Sequence, residues 1–88
     1  MNQAILFADI QTWDEKRQSI RFPAQQSGGL VECFVSTLEL EKLAGQKINT
    51  PQQALDLFSH HRFEIEELAE ELIEAEAFNE QGYLEVVS

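Results

Sequence analysis

The side chains with the clearest potential for chemistry are the adjacent His60 and His61, with Glu64 close behind. Imidazole nitrogens and carboxylate oxygens are common ligands of zinc and other divalent cations. On a helix, Glu64 would share a face with either histidine, but two adjacent histidines would point about 100° apart. Because no further ligands follow at a recognisable spacing, we expect His61 to pack on a helix and His60 to be exposed. A cation- or small-ligand-binding domain using His60 and Glu64 is the alternative function, and no cofactor is predicted.

Cys33 is the other residue that could react, since a thiolate beside a histidine is a nucleophile. It lies between Val31 and Val35 on one side of a predicted strand, and no helix start stands beside it to lower its pKa. We therefore expect a buried, chemically inert thiol. A lone cysteine cannot form an internal disulfide, and residues 1–4 do not begin a signal-peptide pattern, so the cytoplasm is the expected location.

The last third of the chain carries nine Glu after Phe63 and no Lys or Arg, which accounts for most of the formal net charge of −10. Such a surface repels nucleic acids and anionic membranes, and it suits a basic protein. Acid–base catalysis needs two carboxylates in unlike environments, which this run does not provide, so we expect no enzyme. The candidate interaction face consists of Glu67, Glu71, Glu74 and Trp13. The alternatives are a solvated acidic surface and, for Trp13, the edge of the core.

Short apolar runs predict strands near both ends of the sequence. Residues 4–7 are apolar and suit an edge strand. Residues 9–17 are polar around Trp13 and end in a charged turn, so no strand is predicted there. Residues 83–87 alternate between apolar and polar types and predict a final strand.

A β-hairpin is the strongest local prediction. Its strands are residues 19–25 and 30–36, and the Gln-Ser-Gly-Gly sequence at 26–29 is a turn signal between them. Leu30 and Phe34 face the side opposite to Cys33. Because apolar residues occur on both sides of this second strand, we expect it to be covered on both faces.

Capping patterns predict the helix starts. Ser36 followed by Glu39 has capping-box spacing, and Gly45 marks the end of that helix. Thr50 followed by Pro51 begins a second helix, because proline is favoured at the first helical position.

Residues 51–77 leave two interpretations open. Apolar side chains spaced alternately four and three apart would suit one long helix. Such a helix would overhang a domain of this size, so we favour a break near residues 60–62. The helix after this break would end at residues 79–82. It would bury a stripe of four residues opposite the candidate interaction face: Ile65, Leu68, Leu72 and Ala75.

A set of short motifs runs through nearly the whole chain. They are Met1-Asn2-Gln3-Ala4-Ile5 with Phe7, Trp13-Asp14-Glu15, Phe22-Pro23-Ala24, Gly29 to Cys33, Phe58 with His61-Arg62-Phe63, Ile65-Glu66, Ala69-Glu70 and Gln81-Gly82. With these motifs the sequence resembles a family of short bacterial proteins, domain of unknown function 1488. The resemblance implies a small α+β domain in a bacterial cytoplasm. It implies no catalytic or binding residues, because the family offers none to transfer.

Together these observations predict that residues 1–88 form one small α+β domain, with an antiparallel sheet of three to four strands and about three helices packed mainly on one face. The predicted function is a non-catalytic protein-interaction or regulatory module. The expected partner is a protein, including a second copy of this chain. A homodimer would use the sheet or another surface, because two acidic faces repel each other.

Overall fold

Seven short strands and three helices make up the computed structural model, which describes residues 5–87. The strands are β1 Ile5–Phe7, β2 Thr12–Asp14, β3 Ser19–Arg21, β4 Ala24–Gln26, β5 Gly29–Val31, β6 Cys33–Ser36 and β7 Leu84–Glu85. The helices, which lie between β6 and β7 in the chain, are α1 Thr37–Ala44, α2 Pro51–His60 and α3 Arg62–Glu74. The predicted α+β class is confirmed.

The predicted hairpin is present, and its two strands keep one register along their whole length. β4 pairs antiparallel with β5, and β3 pairs antiparallel with β6. The two-residue loop Ser27-Gly28 has positive φ at both positions, 53° and 81°, as a type I′ turn requires. Regular pairing is interrupted at Pro23, whose nitrogen carries no hydrogen to donate. The hairpin therefore passes from one sheet to the next.

The two sheets share this hairpin and have the orders β1-β4-β5 and β2-β3-β6-β7. β1 lies at the edge of the first sheet, as predicted, although the predicted start at Ala4 lies outside the described residues. β2 was not predicted, because residues 9–17 were interpreted as a polar connection. Thr12–Asp14 nevertheless pairs with β3, and the intervening residues 8–11 leave the ladder.

The final strand departs from the predicted antiparallel arrangement. β7 pairs in parallel with β6, so that Leu84 lies opposite Cys33. The amide of Leu84 donates to the carbonyl of Glu32 at 2.9 Å, and that of Val86 donates to Phe34 at 2.8 Å. A parallel return became possible because three helices separate β6 from β7.

The first two helices start where the caps predict. The hydroxyl of Ser36 accepts from the amide of Glu39 at 3.1 Å, and the hydroxyl of Thr50 accepts from Gln53 at the same distance. Gly45 ends α1 with φ of 70°. These three positions confirm that local side-chain chemistry sets the helix bounds.

The predicted break near residues 60–62 is confirmed, and the single long helix is excluded. His61 has φ −111° and ψ 20°, and its amide donates to the carbonyls of Leu57 and Phe58. The carbonyl of His61 then accepts from the amide of Ile65, so one residue both ends α2 and begins α3.

α3 ends earlier than residues 79–82, where the sequence predicted its end. Glu76 adopts a left-handed conformation with φ of 57° and donates from its amide to Ile73. The next amide, that of Ala77, donates to Leu72, which completes a Schellman motif. Glycine normally occupies the left-handed position, and so the Glu at this position gave no signal of the helix end.

The core lies between the sheets and the helices. One cluster of buried residues joins the inner sides of the strands to the helices: Ile20, Phe22, Ala24, Cys33, Val35, Leu40, Ala54, Phe58, Ile65, Ala69, Ile73, Leu84 and Val86. The Phe22 ring lies 5.1 Å from that of Phe58 and 6.1 Å from that of Phe7. The helices therefore pack on one side of the sheet, as predicted.

Candidate functional site

The outer side of β1, β4 and β5 is open to solvent. On this side Leu6, Gln25 and Leu30 form one row across the three strands, because Gln25 is paired with both leucines. Leu6 and Leu30 are each 62% exposed. Their strand neighbours Phe7 and Val31 pack against the core from the inner side. We call the outer side the open sheet face, defined by Leu6, Gln25 and Leu30 together with Ile10 and Pro23.

A shallow hollow of about 390 Å³ lies on the open sheet face. Ile10, which is 46% exposed, and the buried Pro23 contribute to its lining with both leucines. Single exposed apolar side chains are common on proteins, but a contiguous group of them is unusual and marks a contact surface. The sequence gave no warning of this group, because its members come from three strands and from the bulged residues 8–11.

The charge at the border of this hollow is already neutralised. Arg21, the charged residue among those described as lining it, donates to both carboxylate oxygens of Glu32 at 2.5 and 3.0 Å. These hydrogen bonds raise the pKa of Arg21 above its usual value. A bidentate arginine–carboxylate pair holds both side chains in place. The Arg21–Glu32 pair therefore adds no net charge to this edge of the open sheet face.

The other half of the outer side is covered, which partly corrects the predicted coverage of the second hairpin strand. Phe34 on β6 is buried under Tyr83, with ring centroids 5.4 Å apart. The guanidinium of Arg17 lies 4.8 Å from the Phe34 ring and 5.1 Å from the Tyr83 ring. Leu30 on β5 has no comparable cover within residues 5–87. The prediction was right for β6 and wrong for β5.

The acidic residues of the predicted interaction face lie together on α3. Glu67, Glu71 and Glu74 are all exposed, and we call them the acidic face. Phe63, at the start of the same helix, is 86% exposed. The arrangement is a solvated surface of like charges, with an exposed phenyl ring at its beginning.

The apolar stripe on the opposite side of α3 differs from the predicted one. The fully buried positions are Ile65, Ala69 and Ile73, spaced four apart. Leu68 and Leu72 are only partly buried and Ala75 is exposed. The predicted stripe of Ile65, Leu68, Leu72 and Ala75 is therefore rotated about the helix axis relative to the observed one. The prediction continued the apolar spacing of one long helix across the break at His61.

Trp13 lies apart from α3 in the sequence and on a different element, β2. Its side chain packs against the core cluster and is half-buried. The indole nitrogen donates to the carboxylate of Glu15 at 2.7 Å. This environment is that of a core edge, with the polar end of the ring at the surface.

The histidines contact different groups. Nδ1 of the exposed His60 lies 2.9 Å from the carbonyl of Asp56. Nδ1 of His61 lies 3.1 Å from a carboxylate oxygen of Glu64. Across residues 5–87, no group of three or more His, Cys, Asp or Glu side chains is placed to hold a metal ion. The contact joins His61 to Glu64, not His60 to Glu64.

Arg62 is a structural residue that the sequence did not single out. Its guanidinium donates to Glu66 at 2.7 Å, to the side chain of Gln11 at 2.7 Å and to the carbonyl of Ala8 at 2.6 Å. It also lies 5.2 Å from the ring of Phe58. Arg62 therefore fastens the bulged residues 8–11, which border the open sheet face, to the start of the acidic helix.

Cys33 is fully buried, as predicted. Burial, with a smaller contribution from the nearby charge of Glu32, raises the pKa of its thiol from 9.0 to about 12. The thiol lies 3.8 Å from the carbonyl of Val31. At neutral pH the group is protonated, so it is a poor nucleophile.

Comparisons with known proteins agree with this fold. A sequence model of DUF1488, described as a protein of unknown function, matches residues 5–86. Relatives named uncharacterised protein YrdB are 39% identical in Escherichia coli (strain K12) and 38% identical in Shigella flexneri, over 96% of each chain. A crystal structure of a DUF1488 protein of unknown function from Shewanella loihica PV-4 has 50% identity and a TM-score of 0.93, covering 98% of this chain and 94% of that one. Among the described residues, no helix is long and apolar enough to cross a membrane.

Proposed function

We propose that this chain, which belongs to the DUF1488 family of proteins of unknown function, is a protein-interaction module that catalyses no reaction of its own. The observation that carries the proposal is the open sheet face. Leu6, Ile10 and Leu30 surround one hollow there, and each is at least 46% exposed. Covering them would remove apolar area from water, which favours association by about 25 cal/mol for each Å² buried.

A protein fits this surface better than the other classes of partner. The formal charge of −10 opposes nucleic acids and anionic membranes. A small ligand would need an enclosed pocket with polar groups to orient it. The hollow is open, and Arg21, its charged lining residue, is already bonded to Glu32. The cytoplasm suits such a module, since the thiol of Cys33 is unpaired.

Affinity capture with two matched variants tests the proposal. The test variant carries Leu6→Ser and Leu30→Ser, and the control carries Leu38→Ser, because Leu38 on α1 is 74% exposed but lies outside the open sheet face. Proteins retained by the original chain and by the control should be lost from the test variant. Equal retention by all three chains would contradict the proposal, provided that circular dichroism shows all three folded.

A further inference from the structure

We infer that the open sheet face binds a second copy of this chain, so that two sheets meet face to face about a twofold axis. The inference rests on the proposed function and names the partner of the same surface. Its support is the distribution of charge, the position of α3 relative to the sheet, and the shape of the row formed by Leu6, Gln25 and Leu30.

Charge decides where two identical acidic chains can touch. Each copy has a formal charge of −10, nearly all of it after Phe63, so the acidic face of α3 repels a second copy. The open sheet face adds no repulsion of its own, since Arg21 there is paired with Glu32 and the leucine row carries no charge. A strongly basic partner would find no excess negative charge on this edge of the hollow, whereas a second copy presents the same neutral apolar surface.

The position of α3 removes the remaining repulsion. The buried side of α3, at Ile65 and Ala69, belongs to the same core cluster as Ala24, which lies on β4 on the side opposite to Gln25. The acidic face therefore lies beyond the core, on the side away from the open sheet face. With two sheets packed about 10 Å apart, the two acidic faces would be separated by both sheets and both cores. That separation exceeds the screening length of about 10 Å at 0.1 M salt.

The shape of the surface suits a twofold contact. In such a contact the same patch serves both partners, and residue i of one copy meets residue j of the other in both directions. Leu6 and Leu30 stand on either side of Gln25, and the hollow lies beside them. A twofold contact would therefore bring the leucines and the hollow of one copy against those of the other. A chain of 88 residues buries only about 60–65% of its unfolded surface, so covering this face would also add stability.

Sedimentation equilibrium over a wide range of concentration tests the inference on the complete chain. We expect a monomer–dimer equilibrium, which Leu30→Glu weakens by at least about tenfold because a carboxylate would be buried at an apolar contact. The control Leu38→Glu adds the same charge outside the face and should leave association unchanged. Mixing Leu30→Glu with Leu30→Lys should restore a dimer of one copy of each. Thermal unfolding followed by circular dichroism confirms that each variant is folded.

The possible failures are distinguishable from one another. If the original chain is a monomer at every concentration, or if it dimerises equally well with Leu30→Glu, the inference is wrong. The proposed function still holds in either case if capture of a different protein depends on Leu6 and Leu30. Failure of both experiments would remove the dimer and the interaction role together.

Discussion

Two exposed surfaces of this protein, the open sheet face and the acidic face of α3, lie on opposite sides of one core and differ in almost every property. The first presents Leu6 and Leu30 around a hollow whose charged lining residue is paired. The second presents Glu67, Glu71 and Glu74, whose charges repel one another. Apolar area provides the free energy of association, whereas a concentrated charge mainly selects which partners can approach. The acidic run is the more conspicuous feature of the sequence, but we expect the open sheet face to contribute more free energy to association.

The largest expected effect is a loss of folding stability on the inner side of the sheet, which should far exceed the loss on the open sheet face. Phe22→Ala should lower the free energy of unfolding by about 3–5 kcal/mol, because a buried ring in contact with Phe7 and Phe58 would be lost. Leu30→Ala, on the outer side, should cost less than about 1 kcal/mol. Urea denaturation measures both values. A loss as large for Leu30 as for Phe22 would mean that the outer side is core.

The next effect concerns Arg62, which joins the two regions. Arg62→Lys should lower the free energy of unfolding by about 1–3 kcal/mol, because an ammonium group cannot hold Ala8, Gln11 and Glu66 in one plane. Arg17→Lys is the matched control, since Arg17 also lies over a ring but is more exposed. Chemical denaturation should show the smaller loss for Arg17. Equal losses of unfolding free energy would mean that Arg62 contributes no more to stability than an exposed arginine does.

The pH dependence of folding stability tests whether Cys33 is buried on the inner side of the hairpin. The unfolded thiol loses its proton near pH 9 and the folded thiol only near 12, so the unfolded chain binds fewer protons between these values. Stability should therefore fall as pH rises through this window, by about 1 kcal/mol at pH 10. Cys33→Ala should remove this part of the decrease in thermal unfolding curves. Rapid labelling of the native thiol at neutral pH would contradict the buried assignment.

Neutralising the acidic face should have a smaller effect with the opposite sign. Replacing Glu67, Glu71 and Glu74 together by Gln should raise the free energy of unfolding by about 0.5 kcal/mol, through relief of repulsion between neighbouring turns. Added salt should stabilise the original chain more than this variant. Capture should be unchanged if binding uses the open sheet face. Loss of a basic partner without unfolding would instead identify the acidic face as a docking surface.

The smallest expected effect is that of added metal ions. Only a ligand that prefers the folded state raises the melting temperature, and His61 with Glu64 supplies two ligands at most. Zinc or calcium should therefore leave the melting temperature unchanged in a thermal scan. A rise of several degrees that disappears in His61→Ala or Glu64→Ala would favour the cation-binding alternative.

Most of the features that the sequence predicted depend on residues that are close together in the chain. The Ser27-Gly28 turn and the caps at Ser36 and Thr50 each depend on side chains within a few residues. The break at His61 has no side-chain cap, and it was predicted from the size of the domain instead. The end of α3 was missed because Glu76 occupies a position where glycine is the usual signal.

The features that the sequence could not predict depend on contacts between distant residues. Phe34 and Leu30 are both apolar and lie on the same side of one hairpin strand. Only Phe34 is covered, and its cover, Arg17 and Tyr83, comes from elsewhere in the chain. The open sheet face is likewise assembled from Leu6, Ile10 and Leu30. The candidate site therefore required the structure, whereas the acidic face could be predicted from composition alone.

The parallel pairing of β7 also sets the order in which the sheet can be completed. Leu84 is fully buried beside Cys33, about fifty residues earlier in the chain. Contacts between such distant residues form slowly, because a long loop must close before they are made. During synthesis, the edge of β6 stays unpaired until residues 84–86 have emerged, and an unpaired edge can join strands of other chains. β7, which follows all the other described strands in the chain, therefore covers the edge of β6 and protects it from misassembly.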